Sequence, residues 1–423
     1  MAVEEKPKLT EEERKLHAEY INDLVSRGFC KMDPAGSNTT ILFNRFDSSR
    51  EGLSYIGNDF DSWLHGRECN ISIPYIQKGL KHISGQIFVP DGPDYVVAPK
   101  SKRTFANTSQ RYAPETESAD VSPLVIEFFE RLFPSAIERK TILQWIAHMI
   151  QFPGQRPSWH IMLPSESGVG KGFLCEYILD PLVIHTATVK NYKAMTGQFS
   201  SLLAKYTFIL IDDAKAKSDA SQTELKSILS EERTFVEQKF GDAGMVNTYS
   251  RMMLASNEDR PLILEKGERR WFVATKLKHR KDQEDTNQFL ARLFEWLQLP
   301  GSLDKVYNWF MQTDLTGFHH KQCPDSAGLQ KMIAMSSDPY AEGIKHWTES
   351  NPVFTYGELK TGLLLDQSLA DMRNDRRLGH LIREAGFVTS RVRVDKKQMS
   401  LYHPADMPQD IARLQWESRP AFP

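Results

Sequence analysis

Ser165-Glu166-Ser167-Gly168-Val169-Gly170-Lys171-Gly172-Phe173 is the stretch whose residue types and spacing most directly imply chemistry. A polyphosphate carries several negative charges, so its site needs backbone N–H groups turned inward and a helix N-terminus behind them. Gly168 and Gly170 let the backbone wrap that closely, and Lys171 brings a point charge to the β and γ phosphates. Two positions depart from the GxxxxGK[ST] pattern: Ser165 stands where the first glycine is expected, and Gly172 where a magnesium-binding hydroxyl is expected. The run is read as a site for ATP and Mg²⁺. The competing reading is a glycine-rich turn between a strand and a helix.

The rest of the chain supplies the partners such a loop needs. Tyr206 to Ile211 is an apolar strand that ends in Asp212 and Asp213. Adjacent carboxylates at a buried strand end are costly unless a cation or hydrogen bonds satisfy them. In a P-loop ATPase the first, Asp212, holds Mg²⁺ and the second, Asp213, polarises the attacking water; a helix N-cap pair is the plainer alternative. Arg251 to Ser256 is another apolar strand, and Asn257 at its end is placed to hydrogen-bond a γ-phosphate or the lytic water. Arg269 and Arg270, just before Trp271-Phe272-Val273, are candidates for an arginine finger, which in ring ATPases comes from the adjacent subunit. An ordinary surface arginine pair is the alternative.

The elements that must position these groups read as an α/β protein. Trp159 to Leu163 is an apolar strand running into the loop, and apolar strands ending in polar residues predict an open parallel sheet with its site along that edge. From Ser122 to Gln151 the pattern is helical: Ser135 and Glu138 have capping-box spacing, and Ile142, Trp145, Ile146 and Met149 share one face. His148 lies beside that stripe as a packed or rim histidine. Residues 1–115 form an accessory region of unassigned role, with a charged helix at Glu11 to Arg27 and short strands at Thr40 to Phe43 and Gly85 to Val89. Lys100 to Phe105 is basic and reads as a solvated loop more readily than as a nucleic-acid contact. The ATPase domain is assigned to 116–300 and a C-terminal domain to 301–423. The latter reads as a winged helix: helices at Ala341 to Trp347, from Phe354 and at Asp375 to Ala385, then a hairpin from Gly386-Phe387-Val388 through Ser400-Leu401-Tyr402. Arg376, Arg377, Arg391, Arg393, Lys396 and Lys397 make it locally basic, which suits DNA contact or subunit packing equally.

Composition narrows the partners. Fifty-three basic against 55 acidic side chains give a net charge of −2, so a nucleic acid must be held by local patches rather than a bulk field. The four cysteines are dispersed, with neither disulfide-framework nor zinc-site spacing. No signal-like or membrane-length apolar run is present, and the expected location is the cytoplasm.

These elements, in this order, resemble the superfamily 3 helicases of the AAA+ class, most closely the helicase part of phage and plasmid primase-helicases. The resemblance covers roughly residues 120–300. Its most specific part is Leu225-Lys226-Ser227-Ile228-Leu229 followed by Phe235-Val236-Glu237-Gln238-Lys239-Phe240-Gly241, which looks like the family's segment feeding a hairpin into a central pore. The resemblance implies that Lys239 and Lys226 touch DNA phosphates, that ATP binds between the subunits of a homo-oligomeric ring, expected to be a hexamer, and that single-stranded DNA threads the pore. It also implies a separate primase or polymerase as partner, since the first 115 residues hold no paired-carboxylate motif or zinc ribbon. The expected function is an ATP-dependent DNA helicase or translocase in replication of a phage or similar element. The alternative is a nucleotide-gated DNA-binding initiator that does not unwind, which Gly172 favours. A small-molecule kinase fits poorly, because no acceptor lid is apparent.

Overall fold

The computed structural model describes residues 9–33, 39–190, 202–212, 229, 232–236, 244–258, 261–262, 264, 266–336, 339–364, 375–394 and 397–419. The chain divides into two compact units, one of residues 1–263 and 267–330, the other of 264–266 and 331–423. Asp213, Lys226, Lys239 and Lys396 lie outside the described residues, as do the side chains of Arg376, Arg377 and Lys397.

The first unit opens with a helix, Glu11–Ser26, whose N-terminus is closed by a reciprocal capping box between Thr10 and Glu13. Strands β1 (Phe29–Met32), β2 (Ile41–Asn44), β3 (Arg50–Glu51) and β4 (His82–Ile83) form a four-stranded sheet. Strands β5 (Gly85–Ile87), β6 (Tyr95–Val97) and β7 (Thr104–Asn107) form a three-stranded one. Tyr20, Leu24, Phe29, Leu42 and Phe60 make a core of their own for this part.

The centre of the unit is a sheet of β8 (His160–Pro164), β9 (Thr186–Val189), β10 (Phe208–Asp212), β13 (Arg251–Ser256) and β14 (Trp271–Val273). Its order is β14-β8-β13-β10-β9, with every pairing parallel. A parallel sheet is covered on both faces, and its strands are accordingly continuous apolar runs: every residue of β8, β13 and β14 is buried. Helices Pro123–Leu132, Ala136–Gln151, Gln283–Leu297 and Ser302–Met311 contribute Phe128, Phe129, Trp145, Phe289 and Phe310 to the covering core. The helix Ser302–Met311, grouped by sequence with the C-terminal segment, thus packs in the first unit through Val306, Tyr307 and Phe310.

Two local expectations are refined. Ser135 caps its helix by accepting the Glu138 N–H at 3.4 Å, but the Glu138 carboxylate receives the backbone N–H and hydroxyl of Thr275 instead of closing the box. The helix after the glycine-rich loop begins at Lys171–Phe173, widens to a π-helical turn at Leu174–Leu179 and tightens again over Asp180–Val183. Leu174, Cys175, Ile178 and Leu179 are buried, while Phe173 and Tyr177 pack half-exposed against the same core.

Strands β11 (Arg233–Val236) and β12 (Gly244–Asn247) form a separate antiparallel pair between β10 and β13 in sequence. The second unit holds helices Pro339–Ser350, Tyr356–Leu364 and Asp375–Glu384, then the antiparallel strands β15 (Phe387–Val394) and β16 (Lys397–Pro404) and a last helix, Gln409–Ser418. Ile344, Phe354, Leu359, Leu378 and Ile382 form its core, and Phe354 pairs as a single bridge with Tyr402 of the hairpin.

Candidate nucleotide site

Strand register fixes which residues can meet a bound phosphate chain. β8 and β13 pair with Leu163 opposite Ala255 and Pro164 opposite Ser256, and β13 and β10 pair with Ala255 opposite Asp212. Leu163, Ala255 and Asp212 therefore form one row, and the chain leaves β8 and β13 along the same edge. The interposed β13 sets the loop strand and the Asp212 strand two strand spacings apart, about 10 Å. Asn257 comes off the strand between them.

The loop leaves β8 with the Ser165 N–H donating to the Ser256 carbonyl at 2.9 Å and the Glu166 N–H donating to the Leu277 carbonyl at 2.9 Å. Gly168 and Gly170 have φ of 78° and 109°, values that L side chains rarely adopt. A Cβ on Gly170 would also stand 3.3 Å from the Phe128 ring. The backbone then enters the helix, where the Leu174 N–H donates to the Gly170 carbonyl at 3.0 Å. The Lys171 ammonium donates to Ser165 Oγ and, at 3.0 Å, to Asn257 Oδ1. Lys171 at the helix start, Asn257 just beyond β13 and the serine that replaces the first glycine thus meet at one point. The Ser165 hydroxyl occupies space that a glycine would leave empty and supplies an oxygen to the lysine.

Asp212 is half-buried at the end of β10, and both it and Lys171 act electrostatically on the Cys175 thiol between them. Burial chiefly, then Asp180 and Asp212, push that thiol well above its ordinary range, so it is an inert core group. Gly172 is exposed, with nothing within 4 Å of the place a Cβ would take.

Arg269 and Arg270 are placed differently. They precede β14, whose Trp271 pairs with His160, the first residue of β8, so they lie at the edge where the strands begin. The Glu268 carboxylate accepts both their backbone N–H groups, at 2.9 and 2.8 Å, and pairs with the Arg270 guanidinium at 3.5 Å. Arg269 is exposed and Arg270 half-buried.

Sequence reasoning missed the support of the loop from outside. His279 donates its backbone N–H to the Glu166 carboxylate at 3.3 Å, sets Nε2 against the Ser167 carbonyl at 2.9 Å and Nδ1 against the Thr286 hydroxyl at 2.9 Å. Gln283 Nε2 lies 3.2 Å from where a Cβ on Gly168 would be. The contacts to Glu166, Ser167 and Gly168 cross more than a hundred residues, and no spacing in the sequence announces them.

Comparison with known proteins gives two findings. A protein-family model described as a family of unknown function (DUF5906) matches residues 163–270, the segment from the loop strand to the arginine pair. No curated protein sequence matches the chain. Among solved structures, the apo structure of the NrS-1 C terminal region (305–718) is similar with a TM-score of 0.59 at 14% identity, covering 93% of this chain and 99% of that one. An A form apo structure of the same NrS-1 C terminal region gives 0.60 at 14% identity, over 91% and 98%. At that identity the likeness is one of fold. Among the described residues no helix is long and apolar enough to cross a membrane, and no cluster of three or more His, Cys, Asp or Glu is placed to hold a metal ion by itself.

Proposed function

We propose that this protein is an ATP-driven DNA helicase or translocase that works as a ring, of six subunits, in replication of a phage or similar mobile element. The observation that carries this reading is the meeting of Lys171, Ser165 and Asn257 beside a glycine-wrapped loop, one strand from Asp212. The residues fit a polyphosphate. Positive-φ glycines turn the backbone around the loop, a lysine stands at the helix start, and an amide from the next strand reaches the same point.

In this reading the loop from Ser165 to Phe173 holds the phosphate chain through its backbone N–H groups, and Lys171 takes the β and γ oxygens. Asp212 would hold Mg²⁺, and the ion would supply charge neutralisation for the transferring phosphoryl group. Asp213 orients the attacking water, and Asn257 reports on the γ-phosphate. Arg269 and Arg270 lie at the far edge of the sheet, so as arginine fingers they would act on a nucleotide held by a neighbouring subunit, which would make ring assembly part of the chemistry. Lys239 and Lys226 are assigned to the DNA backbone. The pairing of β11 with β12 puts the ends of the Lys239 segment side by side, as a pore hairpin requires. Three helices and the hairpin of the second unit are assigned as a winged helix, with exposed Arg391 and Arg393 on β15. A separate primase or polymerase completes the proposed machinery. The overall likeness to the NrS-1 C terminal region supports a shared fold for this arrangement.

ATP hydrolysis should be stimulated by single-stranded DNA and accompanied by strand displacement on a forked duplex, with Lys171→Ala lowering hydrolysis by about 10²–10³-fold. Wild-type hydrolysis in the Lys171→Ala protein would remove the site assignment altogether. Stimulated hydrolysis without displacement would instead favour the second reading, a nucleotide-gated initiator, for which the missing hydroxyl at Gly172 is the specific support.

A further inference from the structure

A cavity of about 420 Å³ opens at the strand-start edge of the first unit, away from the phosphate loop. Its wall includes Arg156, Arg269, Arg270 and Lys321, with Glu232 as the one carboxylate among the described lining residues. Counting Glu268, which pairs with Arg270 at 3.5 Å, the four cations still outnumber two carboxylates among the described residues, so the cup is electropositive. Its size suits a small polyphosphate better than an open groove that would track a strand.

The wall is also the foot of the β11–β12 pair. Glu232, immediately before β11, accepts from Lys321 Nζ at 2.6 Å, and its carbonyl accepts from the Thr248 N–H, just after β12, at 2.9 Å. Arg156, 7% exposed, donates to the Thr248 hydroxyl and, at 3.2 Å, to the Leu229 carbonyl. Both legs of the hairpin are therefore tied to cavity cations. The Lys321–Glu232 tie is exposed and weak by nature, so an entering dianion can displace it.

We propose that this cavity is a second anion site that takes the terminal phosphate of a polyphosphate, and that its occupant competes with Glu232 for Lys321 and so loosens the foot of the β11–β12 hairpin. The anion site stands without the phosphate loop; its use to move a DNA-contacting hairpin rests on the helicase reading.

Pyrophosphate binding to the full-length Lys171→Ala protein, followed by calorimetry at low ionic strength without Mg²⁺, isolates this site. Binding should persist there. Adding Lys321→Ala should weaken it at least about tenfold, the effect of losing one charge-assisted hydrogen bond. Glu232→Gln should tighten it severalfold, a gain that a merely damaged fold would not give. Amide exchange over 233–236 and 244–247 should quicken when pyrophosphate is added. Binding that vanishes with Lys171→Ala and ignores Lys321→Ala overturns the proposal and leaves the loop assignment standing. Pyrophosphate binding that persists in a wild-type chain lacking ATPase does the reverse. If a single-stranded oligonucleotide binds in a Lys321-dependent way and pyrophosphate does not, the small-polyphosphate assignment is wrong.

Discussion

The two edges of the central sheet handle charge in opposite ways. Where β8, β10 and β13 end, the chain sets two positive-φ glycines, one half-buried lysine and short polar side chains. Where they begin, it gathers bulky cations. Arg251, the first residue of β13, is fully buried and donates to the carbonyls of His148, Phe152, Pro153 and Gln155 at 2.6 to 3.4 Å. Those are carbonyls at and just beyond the C-terminus of the helix Ala136–Gln151, where unpaired C=O groups and the helix dipole both favour a cation. Burial first, and then Arg156, still lower the Arg251 pKa to about 9. One edge is thus arranged to receive charge from outside, and the other stores its own.

Separation along the strands is what gives this contrast a functional meaning. Ser165 is five residues beyond His160, about 17 Å along β8, and Trp271 pairs with His160. The guanidinium of Arg270 therefore does not reach its own loop. The largest predicted effect follows: Arg270→Ala should lower DNA-stimulated hydrolysis by about 10³-fold or more. Mixing it with Lys171→Ala protein should restore activity, because one kind of mixed interface then carries an intact lysine on one subunit and an intact arginine on the other. Steady-state ATPase across mixing ratios checks this, and a flat, inactive profile would place both residues in the same subunit's site.

Arg251 tests the stored-charge edge. Arg251→Ala leaves several buried carbonyls without their donor, and unfolding of the first unit should become about 3–5 kcal/mol easier. Urea unfolding followed by tryptophan fluorescence reports it through Trp145 and Trp159, which lie in that core. A loss under about 1 kcal/mol would mean that water replaces the guanidinium and that the edge is less closed than its burial implies.

Histidines near this edge give a smaller, pH-dependent effect. Burial chiefly, then Arg251 and His320, lower the His148 pKa to about 3, and burial lowers that of His185 to about 4. His185 Nε2 also accepts the Gln110 N–H at 2.7 Å, which the protonated ring could not do. Below the ordinary value of 6.5 the unfolded chain takes up these protons and the folded chain does not. The stability they contribute is therefore present above pH 6.5 and is lost as pH falls from there through about 4 and 3. The slope is on the order of 1 kcal/mol per pH unit for each histidine. Urea midpoints at pH 7 and pH 5 measure it, and His185→Gln should flatten part of the slope.

The legible features were those whose cause is local. Continuous apolar runs marked β8, β10 and β13 because a doubly covered sheet needs nothing else, and the turn chemistry of Gly168 and Gly170 marked the loop between strand and helix. Three helices and the hairpin of the second unit were also read from the sequence, whereas its last helix, Gln409–Ser418, was not. Hidden features depended on partners distant in sequence. Glu138 had capping-box spacing, yet its carboxylate is used by Thr275, 137 residues away. Arg251 read simply as the start of an apolar strand, since only the fold brings the helix C-terminus to it. His279 carried no pattern at all, although it touches Glu166, Ser167 and Thr286.

Gly172 offers the mildest change and bears on the receiving edge alone. A side chain there would enter open space in an ordinary helical conformation, so Gly172→Ser should fold normally and, by removing a helical glycine, gain up to about 0.5 kcal/mol of stability. Its hydroxyl would sit beside Lys171, where the GxxxxGK[ST] pattern places a magnesium ligand. If Asp212 and water now carry the ion with one protein ligand fewer, the Mg²⁺ concentration for half-maximal hydrolysis should fall by up to about tenfold, the scale of one added polar ligand. The arginine-dependent complementation should be unchanged, because nothing at the strand-start edge has moved. A serine variant with the wild-type Mg²⁺ requirement would show that the ion is positioned from elsewhere, and that Gly172 was never the weak point of the loop.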